Sequence, residues 1–175
     1  MQADLVLYNI GQLVTSRELD KTKKMDNIEV IENNGYIVIE KDKIVAVGSG
    51  EVPKEYLTPA TEMVDLSGKL VTPGLIDSHT HLVHGGSREN EFSKKLNGIP
   101  YIQILQEGGG ILSTVNATKN ATFDELYNKA KKSLDRMLEF GVTTVEEKSG
   151  YGLELETEVK QLEVAHKLDK DHPVD

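Results

Sequence analysis

Two histidines, His79 and His81, are separated by one residue at the end of the apolar run 70–77. If that run is a β-strand, its period of two places both imidazoles on one face, with Cα atoms roughly 6–7 Å apart. Two rings leaning together from there can reach one metal ion at the ~2.0–2.1 Å typical of Zn–N bonds. The pair therefore predicts a metal site, although an isolated His-x-His also arises by chance among surface histidines.

The histidine pair needs a further partner, because a catalytic zinc ion usually has three protein ligands and a water molecule. The other histidines of the chain are His84, His166 and His172. His166 is better interpreted as a residue near a helix end, and His172 as part of a polar turn before a proline. His84 follows the strand in a glycine-rich loop, so we expect it near the site but not as a ligand.

Short strands are predicted before residue 70. Residues 4–9 alternate in side-chain character, and the segment 35–50 fits a hairpin whose Ile/Val-rich runs flank the polar turn 40–43. Residues 62–66 predict one more strand, and the charged stretch Glu18 to Lys24 is interpreted as a solvated loop. Together these segments indicate a small β-domain.

Strands and helices alternate after residue 70. The run LVTPGLID (70–77), punctuated by a proline and a glycine, fits a strand buried on both faces. A β-branched run at 142–145, a loop at 149–152, a helix over about 153–168 and a strand entry at 173–175 follow further along. This alternation predicts a parallel α/β sheet or barrel.

The segment 122–140 has the clearest helix signals. Thr122 and Glu125 form a capping box, and Gly141 is well suited to end the helix. Between them, apolar residues recur at helical spacing and predict a face that packs in the core: Phe123, Leu126, Tyr127, Ala130, Leu134, Met137 and Leu138.

Composition excludes several classes of function. The formal charge of −9 disfavours both nucleic acid and an anionic membrane surface as partners. The absence of cysteine excludes disulfides, thiolate metal sites and cysteine nucleophiles. The N-terminus lacks the basic region of a signal peptide, and no apolar run approaches the roughly 18 residues that span a bilayer, so we expect a cytoplasmic protein.

The tract Gly108-Gly109-Gly110 could suggest a phosphate-binding loop. No predicted strand precedes it and no Lys-Ser/Thr follows it, so a P-loop is rejected. We interpret the tract as a loop that lines the site or turns a helix.

Four tracts resemble known proteins. PGLIDSHTHL (73–82) resembles the first barrel strand of the amidohydrolase superfamily. Within that superfamily, three tracts resemble the imidazolonepropionase family: HGGSRENEF (84–92), GGGILSTV (108–115) and EEKSGYGLE (146–154). The resemblance covers nearly the whole chain and keeps the motifs in order.

The resemblance implies an α/β fold, namely the N-terminal part of a (β/α)8 amidohydrolase barrel preceded by a small β-sandwich-like domain. The β-domain would occupy 1–70 and the first βα units 71–175. The implied activity, in histidine degradation, is opening of the ring of 4-imidazolone-5-propanoate by metal-activated water, which gives N-formimidoyl-L-glutamate. The remaining metal ligands and proton-transfer groups are expected beyond residue 175, so residues 1–175 alone are predicted to be inactive and to fold poorly.

The same resemblance assigns site residues by position. It makes His79 and His81 ligands of one Zn or Fe ion, and places Arg88, Tyr101 and Tyr151 against the substrate. A guanidinium fork suits a propionate carboxylate, and the glycines flanking Tyr151 allow a close approach. The alternatives are a surface ion pair of Arg88 with an adjacent glutamate, an amphipathic run around Tyr101, and ordinary loop packing of Tyr151.

Two neighbouring residues need separate interpretation. Lys148 invites comparison with the bridging lysine of two-metal amidohydrolases, but the family resembled here uses one metal. Glu147 departs from the pattern, which leads us to expect an uncharged residue there; its side chain is predicted to point to solvent or to Lys148. The family also implies a homodimer with a small-molecule substrate.

Two other functions stay open from the sequence. One is another cyclic-amide hydrolase, similar to dihydroorotase or hydantoinase, which would share His-x-His but not the other three tracts. The second is a non-catalytic α/β module that binds metal.

Overall fold

The computed structural model describes residues 2–16 and 28–175, so the loop predicted at 18–24 lies outside the described residues. The chain divides into two compact units, Met1–Pro73 and Gly74–Asp175. Each unit has its own core.

The first unit is a five-stranded sheet. The strands are β1 (Leu5–Ser16), β2 (Ile28–Glu40), β3 (Lys43–Ser49), β4 (Glu62–Asp65) and β5 (Leu70–Val71), with a short 3-10 helix at Lys54–Tyr56. The order is β3-β2-β1-β4, and β5 also pairs with β1. β2 runs antiparallel to β1 and β3, whereas β4 and β5 run parallel to β1.

The predicted hairpin is confirmed. Glu40 pairs with Lys43 across a turn in which Lys41 adopts a positive φ of 57°. The N–H of Lys41 donates to Asp4 Oδ2 at 2.6 Å, which ties the turn to the start of β1. The strand predicted at 4–9 is also present, but β1 extends it to Ser16.

The first unit buries two clusters of side chains along β1 and β2. Ala3, Val6 and Val38 form one, and Ile10, Leu13 and Ile37 form the other. Val6 and Ile10 are fully buried, while Leu5 and Leu7 are only half-buried. The sheet therefore has a core supplied mainly by its two longest strands.

The prediction of one strand over 70–77, buried on both faces, was wrong. Leu70 and Val71 pair with β1 of the first unit, whereas β6 (Leu75–Thr80) belongs to the second. Pro73 separates them, because its ring fixes φ and removes the backbone donor that a continuous ladder would need. Leu75 and Ile76 are 54% and 69% exposed, since β6 has β7 as its one strand partner in the described part of the chain.

The second unit places two parallel strands against helices. β6 pairs with β7 (Val142–Glu147) from Leu75↔Val142 to Thr80↔Glu147. The helices are α1 (Glu89–Leu96), α2 (Tyr101–Gln106), α3 (Ile111–Asn120), α4 (Phe123–Glu139) and α5 (Leu155–Asp171). Of α1 to α3, the sequence indicated only the amphipathic run at Tyr101, because these helices are short and lack side-chain caps.

Helix α4 is confirmed, but the prediction that Leu138 packs in the core was wrong, because Leu138 is 37% exposed. Thr122 accepts from the N–H of Glu125, and the Glu125 carboxylate accepts from the N–H of Thr122, completing the capping box. Gly141, just beyond the helix, has a φ of 87°. The buried stripe of α4 packs in one cluster with α5, the loop after β6 and a residue that follows α5: Leu126, Ala130, Leu134, Val164, Leu168, Leu82, Val83 and Val174.

Helix α5 begins at Leu155, two residues later than predicted, and Leu153 before it has a positive φ of 55°. At the other end, Asp175 donates its N–H to Thr143 O and accepts from the N–H of Val145. That pattern is parallel pairing with β7, in agreement with a strand entry at 173–175. No described helix is both long enough and apolar enough to cross a membrane.

Candidate metal and substrate site

His79 and His81 lie together at the end of β6. Their ring centroids are 5.7 Å apart with an interplanar angle of 76°. A ring nitrogen at the usual Zn–N distance places the ion about 3.2 Å from the centroid, so two rings at this separation can share one ion. His79 is exposed and His81 half-buried. The donor set therefore fits two ligands of a single metal ion.

The ring of His81 is oriented from the neighbouring strand. Its Nδ1 lies 2.7 Å from the carbonyl oxygen of Lys148. A carbonyl only accepts, so Nδ1 carries the proton and Nε2 keeps its lone pair. Metal-binding histidines are commonly held this way, with one nitrogen on a backbone carbonyl and the other on the ion.

The other histidines have different surroundings. Within residues 2–16 and 28–175 there is no group of three or more His, Asp or Glu side chains that could hold a metal ion. His166 is exposed on α5. His172 caps α5 but is buried, with Nε2 3.1 Å from Asp135 Oδ1 and Nδ1 accepting from the N–H of Val174, so its placement in a polar turn was incomplete.

His84 is close to the histidine pair, as expected. Its ring makes an edge contact with Tyr151, at 5.7 Å between centroids. Nδ1 lies 2.9 Å from Lys129 Nζ and 3.1 Å from Gly85 O. Burial lowers the pKa of His84, and the positive charge of Lys129 lowers it further, while the hydrogen bond with Gly85 O acts in the opposite direction.

Tyr151 connects these rings. It packs between His81, at 4.9 Å between centroids, and His84. The preceding residue, Gly150, has a φ of 140°, and a Cβ there would lie 3.3 Å from His81 Cε1. Glycine at this position therefore permits the loop after β7 to reach the histidines.

Arg88 forms the ion pair that the alternative interpretation foresaw, but with a buried partner. Nη2 and Nε each lie 3.1 Å from Glu91 Oε2, and Glu91 is only 7% exposed. The other oxygen of Glu91 accepts from the N–H of Gly110 at 2.6 Å. This carboxylate orients the guanidinium, whose side chain stays 31% exposed and available to a ligand.

Of the two predicted tyrosines, Tyr101 lies beside Gly110, whose N–H binds the same carboxylate as the guanidinium. Hydrogen bonding to Glu91 is the main cause that raises the pKa of Arg88, and the phenols of Tyr101 and Tyr151 contribute to the same shift. A Cβ on Gly110 would lie 3.1 Å from the Tyr101 hydroxyl, so the glycine tract passes beside that phenol. As one interpretation held, the tract turns the chain from α2 into α3.

Glu147 does not point to solvent or to Lys148, and that prediction was wrong. Its carboxylate accepts from the backbone N–H of Leu82 at 2.6 Å and of Val83 at 3.3 Å. Burial raises the pKa of Glu147, and these hydrogen bonds only partly offset it. Lys148 pairs instead with Glu146, whose pKa is lowered mainly by Lys148 and also by His79.

Sequence reasoning missed the side chains that hold the loop 82–86 between His81 and Arg88. Gln161 donates to Val83 O at 2.6 Å, and Gly85 N–H donates to Thr118 Oγ1 at 2.9 Å. Lys129 donates to His84 O at 2.9 Å and also to Gly86 O. With Glu147, these residues come from α5, α3, α4 and β7, and no local pattern links them to the loop.

One family model and several curated proteins match this chain. A model of the Amidohydrolase family matches residues 62–97, which include the histidine pair and Arg88. A curated imidazolonepropionase of Fusobacterium nucleatum is 80% identical over 174 residues, and one of Alkaliphilus oremlandii is 55% identical over 179 residues. The chain is therefore similar to part of these two imidazolonepropionases. Its match covers 99% of the chain and 42% of the Fusobacterium protein, and 100% and 42% in the Alkaliphilus comparison.

Solved structures share the fold. An adenosine deaminase from Xanthomonas campestris with bound zinc gives a TM-score of 0.60 at 20% identity, covering 95% of this chain and 32% of the deaminase. Guanine deaminase of E. coli gives a TM-score of 0.57 at 18% identity, with 94% and 33% covered. At these identities the likeness concerns the mixed α/β fold alone.

Proposed function

We propose that this chain contributes the first metal ligands and part of the substrate pocket to an enzyme that opens the ring of 4-imidazolone-5-propanoate by hydrolysis. The product is N-formimidoyl-L-glutamate. The observation that carries the proposal is the 80% identity to a curated imidazolonepropionase over nearly the whole chain. The histidine pair and the Arg88 guanidinium supply chemistry that suits this substrate.

The metal part of the proposal rests on the donor set. His79 and His81 would hold one ion, Zn or Fe, and the orientation of His81 by the Lys148 carbonyl leaves its Nε2 free for that role. Such an ion would supply Lewis acidity and lower the pKa of water. Support for zinc comes from the structurally similar deaminase that contains it.

The substrate part rests on Arg88 and the two tyrosines. A guanidinium already oriented by Glu91 keeps N–H groups for a carboxylate, which is the charged end of the proposed substrate. Tyr151 packs on His81, so it would limit where a ring can lie next to the metal. Tyr101 would add a phenol at the same end as Arg88.

We also propose that the complete fold is a (β/α)8 barrel preceded by a β-sandwich-like domain, and that the protein acts as a cytoplasmic homodimer. The parallel β6–β7 pair and the pairing of Asp175 with β7 support a sheet that grows in chain order. The structurally similar deaminases support the amidohydrolase-type fold.

The proposal is tested by ring opening of 4-imidazolone-5-propanoate by the protein that contains this chain, with and without a chelator. We expect chelator-sensitive loss of imidazolone absorbance, and no turnover by His79→Ala/His81→Ala. His166→Ala is the matched control, because this histidine is exposed and makes no described contact with the pair. We expect residues 1–175 alone to be inactive, since the described residues place together two candidate ligands, where catalytic zinc usually has three.

The assay also separates the other functions. If the folded, metal-loaded protein leaves imidazolone intact but opens hydantoin or dihydroorotate, the proposed substrate is wrong and the cyclic amide that is opened takes its place. A protein that binds metal and hydrolyses none of the three would be a binding module.

A further inference from the structure

The loop that carries Tyr151 is held by one carboxylate. Glu158 Oε1 accepts from the backbone N–H of Gly152 at 2.7 Å and of Leu153 at 2.9 Å. Its second oxygen, Oε2, is buried without a hydrogen-bond partner of standard geometry, although Ser149 and Gly150 lie near enough to influence the group. The carboxylate therefore binds the two consecutive N–H groups that directly follow Tyr151.

The contact between loop and helix is tight. Gly152 is buried, and a Cβ there would lie 2.7 Å from the backbone nitrogen of Glu158 and 3.0 Å from its Oε1. Leu153 adopts a φ of 55°, a conformation that non-glycine residues rarely take without support. The carboxylate supplies that support by accepting the Leu153 N–H.

Glu158 is itself fixed on α5. Its N–H donates to Glu154 O, and the Glu154 carboxylate accepts from Thr157 Oγ1 at 2.7 Å and pairs with Lys119 of α3 at 2.9 Å. The first turn of α5 is thus tied to α3, and Glu158 can hold the loop against a stable base. Burial would raise the pKa of Glu158, but hydrogen bonds from the loop outweigh burial and lower it, so the carboxylate is ionised when it accepts them.

We propose that Glu158 is a positioning residue that sets the place of Tyr151 against His81, and thereby the substrate pocket. The inference rests on the proposed function of the same site. Tyr151 adjoins Gly152, whose N–H the carboxylate holds, and its ring lies 4.9 Å from that of His81. Glu158 makes no described contact with the histidines or with Arg88, so it acts through the loop.

The test uses Glu158→Gln and Glu158→Ala in the complete protein, with Glu163→Gln as control. Glu163 is an exposed residue of the same helix. Hydrogen exchange of the Gly152 and Leu153 amides directly measures the protection that their hydrogen bonds to Glu158 provide. We expect lost protection in Glu158→Ala, partial loss in Glu158→Gln, which keeps one acceptor oxygen, and no change in Glu163→Gln.

The kinetic test distinguishes positioning from general stability. We expect Glu158→Ala to raise the KM for 4-imidazolone-5-propanoate about 10-fold, within the range typical of residues that orient ligands, with a smaller change in kcat. In a Tyr151→Ala background the same substitution should change KM less than about 2-fold, because the residue it positions is gone. Equal effects in both backgrounds would overturn the proposal.

Failure of the proposed function and failure of the proposed role of Glu158 give different results. A folded, metal-loaded wild-type protein that opens no imidazolone ring would end the proposed function. Unchanged protection of the Gly152 and Leu153 amides in both Glu158 variants would refute the proposed positioning role of Glu158, whatever the activity. If Glu158→Ala does not fold, Glu158→Gln supplies both measurements.

Discussion

The loops that follow β6 and β7 meet at the same site but are held in different ways. The loop 82–86 is fixed by Glu147, Gln161, Thr118 and Lys129, which come from four elements. The loop 149–153 depends on Glu158 alone for the hydrogen bonds of Gly152 and Leu153. The first loop therefore belongs to the core of the second unit, whereas the second can move if one side chain is lost.

Because of this difference, we expect substitutions that affect one loop to change mainly the stability, and those that affect the other to change mainly the geometry of the pocket. Substitutions around 82–86 should lower the free energy of unfolding, because they leave buried backbone groups unpaired. Substitution of Glu158 should change the pocket more than the stability.

The largest effect on stability is expected for Glu147→Ala. Two backbone donors, Leu82 N–H and Val83 N–H, lose their acceptor, at roughly 1–3 kcal/mol for each one left unsatisfied. Urea unfolding of the complete protein measures the change. The two N–H groups bind different oxygens of the carboxylate, so Glu147→Gln keeps an acceptor for one of them and should lose about half as much stability. Equal losses in both variants would show that charge, not hydrogen bonding, matters here.

A smaller loss, of about 1–2 kcal/mol, is expected for Thr118→Val. Thr118 is fully buried; its Oγ1 accepts from Gly85 N–H and donates to Thr114 O at 2.7 Å. Valine keeps the shape but leaves Gly85 N–H without a partner. Thr118→Ser keeps the hydroxyl, so it should retain protection of the Gly85 amide in hydrogen exchange; protection retained in Thr118→Val would contradict the prediction.

The smallest effect is a pH dependence of opposite sign in the two loops. The pKa of Glu147 is raised by burial, so its stabilisation is fully present below the ordinary value of 4.5 and is lost as pH rises through the folded-state pKa. The pKa of Glu158 is lowered by hydrogen bonds that outweigh burial, so its stabilisation is present above 4.5 and is lost as pH falls through the folded-state pKa.

Unfolding free energies measured from pH 7 down to pH 3 check this pair of signs. Relative to wild type, Glu147→Gln should be favoured at the upper end of the range and Glu158→Gln at the lower end. Differences that run in the same direction for both variants would contradict it.

The sequence predicted best what neighbouring residues determine. Helix α4 was readable because Thr122, Glu125 and Gly141 mark its ends locally, and the β2–β3 hairpin because its turn is polar and short. The shared face of His79 and His81 followed from strand geometry.

What the sequence did not predict depends on contacts between distant residues. Glu147 was expected in solvent because nothing near it in sequence shows that Leu82 and Val83 would donate to it. The division of 70–77 depended on β1 pairing with Leu70 and Val71, a contact across most of the first unit. Lys129 and Glu158 look like ordinary surface charges of amphipathic helices until the loops they hold are placed.

The pairing of β6 with β7 also has a consequence for how the second unit folds. Leu75 pairs with Val142, and the segment between them contains four helices. Bringing the ends of this long segment together therefore costs chain entropy before any strand pairing forms. Helix α4, specified at both ends by its own residues, can form early and bring its buried stripe toward β7. We therefore expect strand pairing to be a late event, and Thr122→Ala to slow refolding more than a substitution at the exposed start of β6.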